Sequence, residues 1–169
     1  MVDHTHTVTV TTTRTVTTTP KPPASAAACG GGDLSGTFAL VAGSAGAGQI
    51  EYALTLTNTS QQSCFVSGLP QAELVGSDGS SLPTHVVAAQ PGADTAAKIT
   101  LTPGASAVAS ARFSPDVTGQ GDSQSGACQP KAHILRVSPN GGGTLDAPVR
   151  PPTSVCERGT LTFGSFSAS

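Results

Sequence analysis

The residues best placed to do chemistry are four cysteines, Cys29, Cys64, Cys128 and Cys156. No two of them form Cys-x-x-Cys. A structural zinc site usually draws on two close ligand pairs, so zinc is not the expected use. Two disulfides are the expected use, and they place the folded part in an oxidising, extracytoplasmic compartment. Buried thiols in a cytosolic protein are the competing reading. Residues equidistant from a hairpin turn face each other across it. Cys128 and Cys156 are equidistant from Gly142, and Cys29 and Cys64 are nearly so from the turn Gly43–Gly48. This geometry predicts Cys29 with Cys64 and Cys128 with Cys156, although Pro148, Pro151 and Pro152 disturb the second hairpin. Each bridge would contribute roughly 3–4 kcal/mol by restricting the unfolded chain.

Other constellations are weaker. Gly121-Asp122-Ser123 has the look of the start of a serine-hydrolase motif. A nucleophilic serine needs a base and an oxyanion hole, and His85 or His133 could supply the base. Ser123, however, lies in a Gly/Ser/Gln loop with no strand-to-helix elbow, so a solvated loop is the expected reading. His133 shares an alternating face with Leu135 and Val137, which predicts a half-buried, hydrogen-bonded imidazole, and His85 is expected to be exposed. With the thiols oxidised, these two histidines leave a metal site short of ligands. His4 and His6 are spaced i, i+2, but they lack a third ligand and are expected to be solvated. The runs Gly30–Gly32, Gly43–Gly48 and Gly141–Gly143 match neither a dinucleotide nor a phosphate loop and read as turns. Asn58-Thr59-Ser60 is a glycosylation sequon at the end of a strand, where a local Asn turn is preferred. The acidic residues are scattered among turns, with no pair suited to acid–base work. No catalytic, cofactor-binding or metal-binding residue is expected, and no cofactor.

The elements that must position these residues are short. The chain has 169 residues, enough for one domain with a tail. Only 11% are charged and 37% hydrophobic, with no Trp, one Tyr and five Phe. This excludes a transmembrane bundle and a coiled coil. A net charge of −2 argues against nucleic acid or an anionic membrane as partner. Residues 1–28 are rich in Thr, Val and Pro and predict an extended, disordered stalk ahead of a domain over 29–169. That segment has no apolar core of a signal peptide, and Ala26-Ala27-Ala28 before Cys29 is only a faint echo of a lipoprotein cleavage box. A missing upstream membrane helix or start codon is the simpler expectation, leaving the membrane as a partner only through that anchor.

From Asp33 onward, short apolar runs alternate with Gly, Pro, Ser and Asp. Ile50, Tyr52, Leu54 and Leu56 alternate with polar or small residues, the pattern of a half-buried strand over Gln49–Asn58. Further strands are expected at Thr37–Ala42, Cys64–Val66, Ala72–Val75 and Thr84–Ala88. Others are expected at Lys98–Thr102, Ser106–Phe113, Ala132–Ser138 and Gly159–Phe163. Seven to nine short strands with turns between them predict an all-β, antiparallel β-sandwich.

Three stretches resemble one family. Leu54–Ser60 followed by Cys64 and Gly68-Leu69-Pro70 is similar to its strand ending in Thr-Asn, then a Cys and Gly-x-Pro. Leu101-Thr102-Pro103-Gly104 resembles its Leu-x-Pro-Gly. Cys128-Gln129-Pro130, the strand with Leu135-Arg136-Val137 and a late Cys156 resemble its carboxyl-terminal part. The family is the actinobacterial domain of unknown function 4232. The resemblance implies an exported, immunoglobulin-like domain with no assigned activity, often lipid-anchored or carried on a stalk behind a membrane helix. The expected role is therefore non-enzymatic: an extracytoplasmic binding or accessory domain of the bacterial cell envelope. Its partner would be an envelope protein or a cell-wall polymer, met by the loops Gly76–Ser81 and Pro115–Ala127. A sensor ectodomain of a membrane signalling protein and a weak hydrolase using Ser123 are the alternatives.

Overall fold

The computed structural model describes residues 24–95 and 97–169. His4, His6 and the stretch 1–23 of the expected stalk lie outside the described residues. Among the described residues thirteen strands make the fold all-β. The first five are β1 (Ala27–Ala28), β2 (Leu34–Leu40), β3 (Ile50–Asn58), β4 (Cys64–Val66) and β5 (Gln71–Val75). Next come β6 (Ser81–Leu82), β7 (His85–Ala88), β8 (Ile99–Leu101) and β9 (Ser106–Phe113). The last four are β10 (Ala132–Ser138), β11 (Leu145–Thr153), β12 (Thr160–Phe163) and β13 (Ser167–Ala168). All nine expected strands are present. The additions are the two-residue strands β1, β6 and β13, together with β11.

Ten strands form one sheet in the order β6-β5-β10-β11-β2-β3-β9-β12-β7, with β13 branching from β9. Most neighbours are antiparallel; β11 with β2 and β12 with β7 are parallel. A second sheet of three strands has the order β1-β4-β8. The end strands of the large sheet, β6 and β7, are consecutive in the chain and separated only by Pro83 and Thr84. The sheet therefore curls until its two edges meet at that corner. Thr84 ties it by accepting the Leu74 N–H at 2.8 Å through its hydroxyl.

Alternation selects what the curl encloses. Tyr52, Leu54 and Leu56 of β3 point into one core with Phe38 of β2, Leu135 and Val137 of β10, and Leu161 and Phe163 of β12. Burying each large side chain contributes roughly 1.5–3 kcal/mol. Phe38 stacks at 6.4 Å on Phe113 and packs tilted at 5.1 Å against Tyr52. The Tyr52 hydroxyl donates to the Pro151 carbonyl at 2.9 Å, and burial pushes the phenol's pKa up.

β11 is the strand that its prolines conceal. Leu145, Ala147 and Val149 are buried and alternate with Asp146, Pro148 and Arg150. Proline has no N–H to give to a ladder. The strand tolerates it because β2 pairs with β11 only at Val149 and Arg150. On the other side the ladder with β10 breaks its register between Ala132 and Ile134. That irregularity corrects the expectation for His133. There His133 alone on β10 stands against several residues of β11, and alternation is lost: Ala132 lies on the inner face and His133 is exposed.

Candidate functional site

The cysteines are bridged Cys29–Cys64 and Cys128–Cys156, with Cα separations of 4.9 and 5.4 Å. The first bridge does not extend the β2–β3 hairpin as the equidistance argument supposed. Both chains leave that hairpin together, where the Thr59 N–H donates to the Asp33 carbonyl at 2.8 Å. β1 then runs parallel to β4, and Cys29, immediately after β1, donates its N–H to the Phe65 carbonyl at 2.9 Å at the edge of the three-stranded sheet. The second bridge does close the open end of the β10–β11 hairpin. The turn Gly141–Gly143 is a docking surface of backbone on backbone, with the Gly141 N–H donating to the Cys29 carbonyl at 2.9 Å. A Cβ at Gly141 would fall 2.5 Å from the Ala28 carbonyl oxygen, so glycine is required there.

Asp122, not Ser123, is the organising residue of the Gly121-Asp122-Ser123 stretch. Its buried carboxylate accepts four hydrogen bonds. One oxygen takes the N–H of Gly119 at 2.8 Å and of Glu157 at 2.6 Å. The other takes the Gln129 side-chain amide at 2.9 Å and the Arg158 N–H at 2.8 Å. These donors, the Gln129 amide foremost, hold the carboxyl well below the usual carboxylate range. Glu157 and Arg158 are both left-handed, at φ 53° and 57°. Successive N–H groups in that conformation converge and form a concave anion site, here filled by the protein's own carboxylate. Sequence reasoning looked for a nucleophile at Ser123 and missed this clamp. The readable signal was an acid in a Gly-rich loop facing Cys-Glu-Arg-Gly, joined to it through the Cys128–Cys156 bridge.

Ser123 is exposed, and its hydroxyl donates to the Ser125 carbonyl at 2.9 Å. His85 lies exposed on β7 and His133 exposed on β10. Ligand-type atoms of Asp122, Cys128 and Cys156 lie within 4.8 Å of one another. Both sulfurs belong to the disulfide, which offers no thiolate, and the carboxylate is engaged by its four donors. Asn58 is fully buried: its amide donates to the Gln62 and Leu101 carbonyls at 2.7 and 2.9 Å, and its oxygen accepts from Ser60. The Asn turn, not a glycan acceptor, is the role this geometry gives it.

The loops expected to bind are internally tied. Asp78 accepts from the Ser80 N–H and hydroxyl, and Asp122 pins Pro115–Ala127. A groove of about 540 Å³ lies elsewhere, between the Ser67–Pro70 loop and the Pro139–Thr144 turn. Leu56, Val66, Leu69, Val137 and Phe166 contribute apolar surface, and Asn140, Gln71 and Thr144 are among its polar groups. None of its lining residues is charged or is a histidine. A cleft of about 350 Å³ adjoins it across Leu69, Pro70 and Asn140 and reaches Val86 on β7.

An all-β domain stapled by two disulfides, with an uncharged groove at one end, is the class that this geometry defines. The sequence matches the family described as domain of unknown function (DUF4232) over residues 29–167, and the chain belongs to it. Comparison with curated proteins and with solved structures returns no match. The two disulfides suit an oxidising, extracytoplasmic environment. Among the described residues no helix is long and apolar enough to cross a membrane.

Proposed function

We propose that this chain is a non-enzymatic binding or accessory domain of the bacterial cell envelope, exported and held off the surface by its Thr/Pro-rich amino-terminal segment. The observation that carries the reading is the groove: part apolar, part polar, and without a titratable side chain in its lining. Such a lining recognises an uncharged surface and supplies no general acid or base. The arrangement of Ser123 points the same way, because its hydroxyl is spent on a local turn and its loop is organised by Asp122. The partner would be an envelope protein or a cell-wall polymer. A sensor ectodomain is this same binding role in a longer protein, and no separate feature favours it.

The test has two arms. The native protein is fractionated from cells, and its intact mass is read with and without reduction. A gain of about 4 Da in the envelope fraction is expected from two opened disulfides; a cytosolic protein with no gain overturns export. The folded domain is also exposed to a fluorophosphonate serine probe. No labelling is expected, and covalent modification of Ser123 overturns the non-enzymatic role.

A further inference from the structure

The curl that joins β6 to β7 leaves a seam. β5 pairs with β6 only at Leu74 and Val75, so among the described residues Gln71–Glu73 has no strand on the side away from β10. Among the described residues β7 ends the sheet order and pairs only with β12. From the Pro83–Thr84 corner these two edges diverge, and Gln71 and Val86 line the two sides of one cleft.

The orientation of the free backbone groups follows from alternation. The Ala89 N–H donates to the Phe163 carbonyl of β12 at 2.8 Å. Val87 points the same way, so the N–H and C=O groups of Val86 and Ala88 face outward. On β5 the Leu74 N–H faces the corner, so Ala72 faces the seam. Unpaired edges are templates for another strand. Natural edges are commonly blunted by lysine, proline or a bulge; β7 reads His-Val-Val-Ala and has none of these, with Val87 41% exposed. The cleft contains no charged side chain, and the nearby Glu73 is engaged with Arg136 at 4.0 Å.

We infer that the seam is a strand-docking site, and that its occupant is an extended, uncharged peptide segment of a partner protein. The inference rests on the binding role proposed above and names its partner class. The peptide pairs through its main chain with Val86 and Ala88, and its alternate side chains enter the uncharged groove. An uncharged lining rejects a charged segment, which would lose its hydration without gaining an ion partner. A polysaccharide lacks the regular N–H and C=O ladder that this edge complements.

The test uses the full chain and a capped, fluorescent peptide of alternating Thr and Val. Saturable binding is expected by fluorescence anisotropy. The same peptide methylated at alternate amide nitrogens should bind about tenfold more weakly or worse, because ladder donors are gone. Amide exchange followed by NMR should slow at Val86 and Ala88 and stay unchanged at Val87. Ala88→Pro removes an outward N–H at an exposed edge position, where proline is tolerated, and should weaken binding by a similar factor with unchanged circular dichroism. Equal binding of the methylated peptide, or no protection at Val86 and Ala88, overturns strand docking. Capture of isolated cell-wall polysaccharide with no peptide binding overturns it too, while leaving the broader binding role standing. Labelling of Ser123 by the serine probe would instead remove the role on which it rests.

Discussion

Two consecutive left-handed residues that are not glycine, Glu157 and Arg158, cost about 1–2 kcal/mol each in backbone strain. Asp122 offsets this by accepting both of their N–H groups. The carboxyl titrates below its ordinary range in the fold. A depressed folded pKa means stabilisation that is present above the unfolded value of about 3.9 and is lost as pH falls through the folded one. Asp122→Asn should therefore lower Tm by several degrees at pH 7. The gap between variant and parent should close as melts are repeated below about pH 4. Next in the chain, Gly159 has φ 79°, and a Cβ there would run into the Pro83 carbonyl oxygen. Gly159→Ala should destabilise the domain by about 3 kcal/mol or more in urea unfolding. A smaller effect would mean that the corner can shift away from the turn.

At the scale of elements, position in the sheet sets local stability. β3 is flanked by β2 and β9 over nearly its whole length, whereas β6 and β13 are two-residue strands pairing on one side. Amide hydrogen exchange should be slowest in β3 and β9 and fastest in β6 and β13. Equal rates would contradict the topology described. Most strands were legible because alternation survives in short windows: Tyr52, Leu54 and Leu56 mark β3 without help from any neighbour. β11 was not, because Pro148, Pro151 and Pro152 argue against a strand locally, and only the partial ladder with β2 and the break at Ala132–Ile134 make room for them. His133 was misplaced for the same reason, since a bulge cannot be seen in one strand alone.

For the whole molecule, the disulfides join regions that the large sheet does not. One fixes β1 to β4 in the small sheet; the other ties the Asp122 loop to the turn after β11. Replacing Cys128 and Cys156 together by serine should cost roughly 2–5 kcal/mol in denaturant unfolding. Because Asp122 depends on that turn, the double variant should also make the Asp122→Asn change less damaging than it is in the parent. Additive effects would show that the bridge and the carboxylate clamp act independently.

The all-β class, most of the strand windows and a cysteine usage that suits an oxidising compartment follow from the sequence by itself, because alternation, turn residues and cysteine usage are local or compositional properties. The tertiary structure alone decided where the strands lie. It brought Asp122 to Glu157 and Arg158 across a long stretch of chain, and it placed Cys29 just after β1, a strand parallel to β4. It also joined the two edges of the sheet at Pro83 and Thr84. The uncharged groove and its open seam arise from that curl. A groove is a property of surfaces meeting, and no window of the sequence contains both of its walls.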